Sequence, residues 1–275
     1  MRCSRLIRAA LAGLTLAGTL GRSAVLIHEY ALRGTLADNL NGSPLTSMGG
    51  QITALGYVFA ENQGLVLTSS SLSPSSFSIE LSFRFSDVSG YRKIADFHNR
   101  ADDTGFYVLN SALNFYPVVT ASTADILPNV DVHVVLARDG ATNVVTGYVN
   151  GQLRFTFNDT GPLATLTATD RRLILFADDP ATSYREASAG TLNYLRVFNG
   201  ALSTGEVSAL FAGGAPTVVP EPPTAVLLVL GGALSLGRWL RVRNKVRPVS
   251  PVLRGTRRRA TVPSSPWFAP PPFSS

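Results

Sequence analysis

Phe77-Ser-Ile-Glu-Leu-Ser-Phe-Arg-Phe85 decides the fold. Successive side chains of an extended chain point to opposite faces, so Phe77, Ile79, Leu81, Phe83 and Phe85 make one apolar row, and Ser78, Glu80, Ser82 and Arg84 the other. The segment reads as a strand with one dry face and one wet or partner-facing face. On that second face Glu80 is expected to be a solvated or salt-bridged sheet residue, with Arg84 two positions farther along as its neighbour.

Working outward, similar short segments recur at Tyr57 to Glu61, Leu65 to Thr68, Lys93 to His98, Phe106 to Leu109, Leu113 to Tyr116, Val130 to Arg138, Val144 to Val149, Leu153 to Phe157, Leu173 to Ala177 and Gly190 to Phe198. Turn residues separate them, and no long stretch has a period of 3.6. Asn150-Gly151 marks a two-residue hairpin, because both turn positions need positive φ. Asp139-Gly140 marks another turn. Ser203 to Ala212 is the one expected helix, with Ser203 as N-cap, Glu206 completing a capping box and Gly213-Gly214 as the stop. The pattern predicts an all-β, antiparallel two-sheet β-sandwich spanning residues 25–213.

The chain has 275 residues, 45% of them hydrophobic and 15% charged, with a net charge of +6. That basicity is confined to the ends. Residues 1–24 carry four basic residues and no acid, and residues 219–275 carry nine basic residues and one acid. The body between them holds 11 basic against 17 acidic residues, a net −6. A phosphate backbone would be repelled by such a body, so nucleic acid is excluded as its partner. The sole cysteine, Cys3, lies near the start, so the body has no thiol, disulfide or cysteine-based metal site.

Both ends read as targeting segments. Arg2, Arg5 and Arg8 precede the apolar run Ala9 to Leu20, followed by small residues, which is the pattern of a secretory signal peptide over residues 1–24 with cleavage between Gly21 and Val25. At the other end, residues 214–223 form a Pro-rich linker containing Pro220-Glu221-Pro222. Residues 224–240 form a hydrophobic transmembrane or sorting helix, and Arg238, Arg241 and Arg243 hold its far end in the cytoplasm. Residues 241–275 are a basic, Pro-rich tail without apolar periodicity, read as disordered.

This C-terminal order resembles the PEP-CTERM sorting signal. Pro220, Glu221 and Pro222 match its motif, and the resemblance implies a membrane partner and processing by an exosortase on the way to the outer envelope or extracellular matrix. The chain departs from the family by continuing past the arginines to Ser275. An uncleaved single-pass anchor is the alternative.

The body resembles the LamG-like, or concanavalin A-like, jelly-roll domains. The resemblance rests on the Leu36-Ala-Asp-Asn-Leu-Asn-Gly42 loop, the Phe77 to Phe85 strand, the Tyr148-Val-Asn-Gly-Gln152 hairpin and the closing Gly190 to Ser203 segment. Asn193 stands where related domains often carry Asp. It implies two antiparallel sheets with loops at the rims, and domains that bind glycans, proteins or nothing known.

Catalysis is not expected. The Glu-x-Asp-x-x-Glu array of the glucanases is absent, and Glu80 is a lone carboxylate where glycoside hydrolysis needs two. His28, His98 and His133 are scattered and are read as surface or edge residues. Asp178, Asp179 and Glu186, near a strand end, are candidate Ca²⁺ ligands, since that ion takes six to eight oxygens. Asp102-Asp103 and Asp38 are further acidic sites of the same kind, and Asp is also a common turn residue. Calcium is used by some LamG-like relatives. Both tryptophans, Trp239 and Trp267, lie outside the body, so a glycan platform there must come from Tyr57, Tyr91, Tyr107 and Tyr116. The expected function is adhesion or matrix structure outside the cell, through a glycan or matrix polymer. A glycan-active enzyme and a purely structural surface protein are the alternatives.

Overall fold

The computed structural model describes residues 24–216. The expected signal peptide falls on residues 1–24, all but the last of them outside that range. Pro220-Glu221-Pro222, the hydrophobic helix, Arg238, Arg241, Arg243 and the basic tail lie outside it entirely. Among the described residues no helix is long and apolar enough to cross a membrane.

Among the described residues, fifteen strands and one helix follow in chain order: β1 Val25–Tyr30, β2 Thr46–Ser47, β3 Gln51–Thr53, β4 Gly56–Phe59, β5 Leu65–Thr68, β6 Phe77–Phe85, β7 Tyr91–Asp96, β8 Gly105–Leu109, β9 Ala112–Tyr116, β10 Val119–Thr120, β11 Val132–Asp139, β12 Val144–Val149, β13 Gln152–Asn158, β14 Arg172–Leu175, β15 Gly190–Asn199 and α1 Thr204–Gly213. All pairings are antiparallel. One sheet runs β13-β12-β11-β6-β15-β4-β3, and β1 shares the free edge of β15 beyond β4. The other runs β10-β9-β8-β7-β14-β5-β2. The chain is thus an all-β sandwich of two antiparallel sheets.

The apolar row of β6 forms the middle of the core, and each of Phe77, Ile79, Leu81, Phe83 and Phe85 is at most 1% exposed. Facing it are Ile94, Phe106, Val108, Phe115, Leu173 and Leu175 of the other sheet. Burying one such side chain contributes about 1.5–3 kcal/mol, so this alternation supplies much of the stability. Phe176 breaks the alternation after β14. At φ +57° it joins Leu175 in the core, stacking on Phe59 at 4.6 Å, and it turns the following acids out of the sheet.

The hairpin at Asn150-Gly151 has φ +50° and +76°, as the turn requires. Ser203 caps α1 with Glu206 in a complete capping box. The helix lies on the outer face of the first sheet, where Val207 and Leu202 pack with Val135, Tyr148 and Phe198. Ala24, just before β1, and Gly213 and Gly214, at the end of α1, border one cleft beside this helix.

The polar row of β6 is less exposed than its sequence suggests. Glu80 is fully buried, and its partners are His133 (Nε2 at 3.1 Å), the Tyr194 hydroxyl and Arg196 rather than Arg84. Arg84 instead meets Asp131 at 3.2 Å. The neighbouring strands β11 and β15 each send a large side chain over Glu80, which a single-strand reading cannot anticipate. His28 and His133 are likewise buried rather than at the surface.

Candidate functional site

The second sheet carries the expected tyrosines. Because β8 buries Phe106 and Val108 inside, Tyr107 faces out. By the same alternation β7 presents Tyr91 and Lys93, and β9 presents Asn114 and Tyr116. Residues 97–104 and 176–189 fold over part of this face, leaving Lys93 and Tyr107 fully buried and Tyr91 and Tyr116 half-buried. Asn99, Arg100, Ser183 and Tyr184 all have positive φ, a strained conformation for non-glycine residues that is enriched at functional sites.

The three tyrosines form one cluster. Ring centroids lie 5.6 Å apart for Tyr91 and Tyr107, 5.5 Å for Tyr91 and Tyr116 and 6.4 Å for Tyr107 and Tyr116, each pair near perpendicular. Tyr57 does not join them. It is buried on the core side of β4, where its hydroxyl accepts from the Gly50 amide and reaches the Gly64 carbonyl at 3.0 Å. Its place in the alternation of β4, on the same side as Phe59, accounts for this.

Carboxylates stand beside the tyrosines. The loop after Phe176 brings in Asp178, the loop before β8 brings Asp103, and Glu186 is pinned by its carbonyl, which accepts the Lys93 amide at 2.7 Å. One oxygen from each of Asp103, Asp178 and Glu186 lies within 4.8 Å of the others. Oxygens bound to a common Ca²⁺ at 2.3–2.6 Å can be no more than about 5 Å apart, so these three fit one such ion. Asp178 is fully buried. Its Oδ2 accepts from Thr182 Oγ1 and the Glu186 amide, while Oδ1 has no hydrogen-bond partner among the described residues.

Asp179 is not among the three. It is fully buried and paired with the Lys93 ammonium, which also lies 3.6 Å from Asp96 and 3.8 Å from Asp178 and sits over the Tyr107 ring. Asp103 stands where Asp179 was expected, because adjacent residues leaving a strand point in different directions. Its Oδ1 accepts the Tyr107 hydroxyl at 2.9 Å. Asp102 faces away, toward His98 at 2.9 Å. Asp38 spends its oxygens on His28 (2.6 Å) and on the amides of Glu29 and Leu40, so it braces a loop.

The electrostatics follow from this crowding. Burial first, and then the charges of Asp103 and Asp178, push the Glu186 carboxyl up to about 7. Burial also raises Asp103 and Asp96 above the usual carboxylate range. Tyr91 is raised by burial and by Tyr116, Glu186 and Asp103, which places ring and acids in one field. Lys93 was missed as the centre of this cluster. The available signal was that it is the only lysine from residue 25 to 218, set in a strand-like run beside Ile94 and Ala95.

The sequence profile described as "Concanavalin A-like lectin/glucanases superfamily" matches residues 59–208. The chain belongs to this superfamily. No curated protein matches it. Among solved structures, domain 4 of AbnA, an extracellular arabinanase from Geobacillus stearothermophilus solved with arabinotriose, is 17% identical at a TM-score of 0.54, covering 68% of this chain and 98% of that one. The botulinum neurotoxin serotype D binding domain is 11% identical at 0.52, covering 69% of this chain and 52% of that one. Trypanosoma rangeli sialidase is 15% identical at 0.51, covering 68% of this chain and 32% of that one. This concanavalin A-like chain therefore spans nearly all of the arabinanase domain, about half of the neurotoxin domain and about a third of the sialidase. At these identities the likeness is one of fold.

Proposed function

We propose that the chain is an exported, non-catalytic glycan-binding protein of a bacterial envelope or extracellular matrix. Its ligand site is the partly roofed face where half-buried Tyr91 and Tyr116, backed by buried Tyr107, meet Asp103, Asp178 and Glu186. That convergence carries the reading. Aromatic rings stack on the C–H faces of sugar rings, and carboxylates, alone or through a divalent cation of the calcium type, accept from sugar hydroxyls. Domain 4 of the arabinanase, which shares the fold, was solved with a bound arabinotriose.

Export and sorting rest on the signal-like start and on Pro220, Glu221, Pro222, Arg238, Arg241 and Arg243, with the membrane and an exosortase as partners in delivery. A retained anchor is the alternative fate of the hydrophobic helix. Non-catalysis rests on the placement of the acids. One oxygen from each lies within 4.8 Å of the others, a grouping that suits a shared cation, and the Glu-x-Asp-x-x-Glu array of the glucanases is absent from the sequence. One observation favours a glycan-active enzyme instead, the Glu186 carboxyl near 7, where a general acid works.

A glycan array and a hydrolysis assay on the full-length protein separate the readings. The expected result is binding lost in Tyr91→Ala and Tyr116→Ala, with no turnover. Turnover abolished by Glu186→Gln would establish the enzyme, and a blank array would leave a structural surface protein.

A further inference from the structure

A second set of features meets on the outer face of the other sheet, on the far side of the sandwich from the tyrosines. Beside α1 lies an open cleft of about 450 Å³, within the range of about 300–1,000 Å³ usual for small-molecule sites. Three local irregularities shape it. In β15 the pairing with β6 steps from Leu192↔Phe83 to Tyr194↔Ser82, so Asn193 is an extra residue. Leu192 and Leu195 both stay in the core, and Asn193 and Tyr194 are both left on the outer face lining the cleft. Such bulges re-aim side chains and are enriched beside functional sites. At the rim, buried Leu32 holds φ +53°, rare for a leucine, and the next residue is exposed Arg33. On the floor, His133 is 6% exposed with Nε2 3.1 Å from Glu80 Oε1, while its Nδ1 has no partner among the described residues.

We propose that this cleft is a second binding site, separate from the tyrosine face, and that it takes a sugar bearing a carboxylate, a uronic acid residue of an acidic polysaccharide. Arg33 and Arg84 both line it. Among the described residues no carboxylate pairs with Arg33, and Arg84 gives one nitrogen to the half-exposed Asp131. The mouth is therefore net positive on a body of net −6, which selects an anion. A guanidinium fork matches a carboxylate in two-point contact. The rest of the lining suits a sugar rather than a bare anion. Phe211, 47% exposed and 5.4 Å from the His133 ring, offers an apolar wall. Asn150, Asn193 and Ser82 supply amide and hydroxyl groups, and His133 the unpartnered Nδ1, for polar groups of the sugar.

The test is titration calorimetry of the full-length protein with trigalacturonate, with its methyl ester and with inorganic phosphate. The acid form should bind, and the ester should bind at least about tenfold more weakly, since it loses the charge-assisted contacts. Arg33→Ala, at an exposed position, should weaken binding by about the same factor. Tyr91→Ala should leave it unchanged, so this site and the tyrosine face fail separately. Equal binding of acid and ester, phosphate competing as well as the sugar, loss in Tyr91→Ala but not in Arg33→Ala, or no binding at millimolar concentration would each overturn the proposal.

Discussion

Replacing Lys93 with methionine tests the carboxylate cluster directly. The methionine keeps most of the stem that packs against Tyr107 and removes only the ammonium. Asp96, Asp178 and Asp179, all fully buried, then face one another with no cation among them. Breaking a buried ion pair by removing one partner costs about 3–5 kcal/mol. In a domain of this size each kcal/mol is worth about 2–4 °C, so the melting midpoint at pH 7.5 should fall by about 6–20 °C. At pH 5 the loss should be smaller, because burial already raises Asp96 and protonation relieves the repulsion. Adding Asp179→Asn to Lys93→Met should restore part of the stability by removing one orphaned charge. Circular dichroism melts of the unaltered protein, the single variant and the double variant at the two pH values give the result. A shift below about 2 °C at pH 7.5, less than about 1 kcal/mol, would show that the ammonium does not hold the cluster together.

The raised Glu186 carboxyl sets a pH dependence of definite sign. The folded state keeps its proton up to about 7 while the unfolded state releases it near 4.5, so stability falls as pH rises through that window and levels off above it. Millimolar Ca²⁺ should raise the melting midpoint at pH 8 and do so much less at pH 5, where proton and cation compete; an unchanged midpoint at pH 8 removes the cation from the site. Gly64→Ala should be severe, at least about 3 kcal/mol by overpacking, because the added Cβ would fall 1.7 Å from the Leu175 carbonyl. Gly205→Ala on α1, where nothing lies within 4 Å, is the control, and chemical denaturation of both should show only the first destabilised.

Local patterns carried the fold and long-range ones did not. The inward apolar row of β6, the Asn150-Gly151 turn and the Ser203–Glu206 cap are each decided within a few residues and hold, whereas the wet face expected of β6 does not, since β11 and β15 bury Ser78 and Glu80. β1, β2, β3 and β10 were not legible. Three are too short to show a period, and β1 is interrupted between Leu26 and His28, so that its identity comes from pairing with β15 across the chain. The site divides in the same way. Tyr91, Tyr107 and Tyr116 were singled out for want of a tryptophan in the body, and alternation gathers them on one outer face, while it sends Tyr57 to the core side of β4 with Phe59. Asp103 was mentioned but not joined to Asp178 and Glu186, because 75 residues of chain separate Asp103 from Asp178 and only the closing of two loops over one sheet brings them together.

Ala24 and Gly214 border the same cleft by α1, on the sheet opposite the one that bears Tyr91 and Tyr116. Neither end of the described sandwich therefore obstructs the tyrosine face. Were many copies gathered on one repeating polymer, individually weak grips by that face would multiply into avidity rather than merely add up in number.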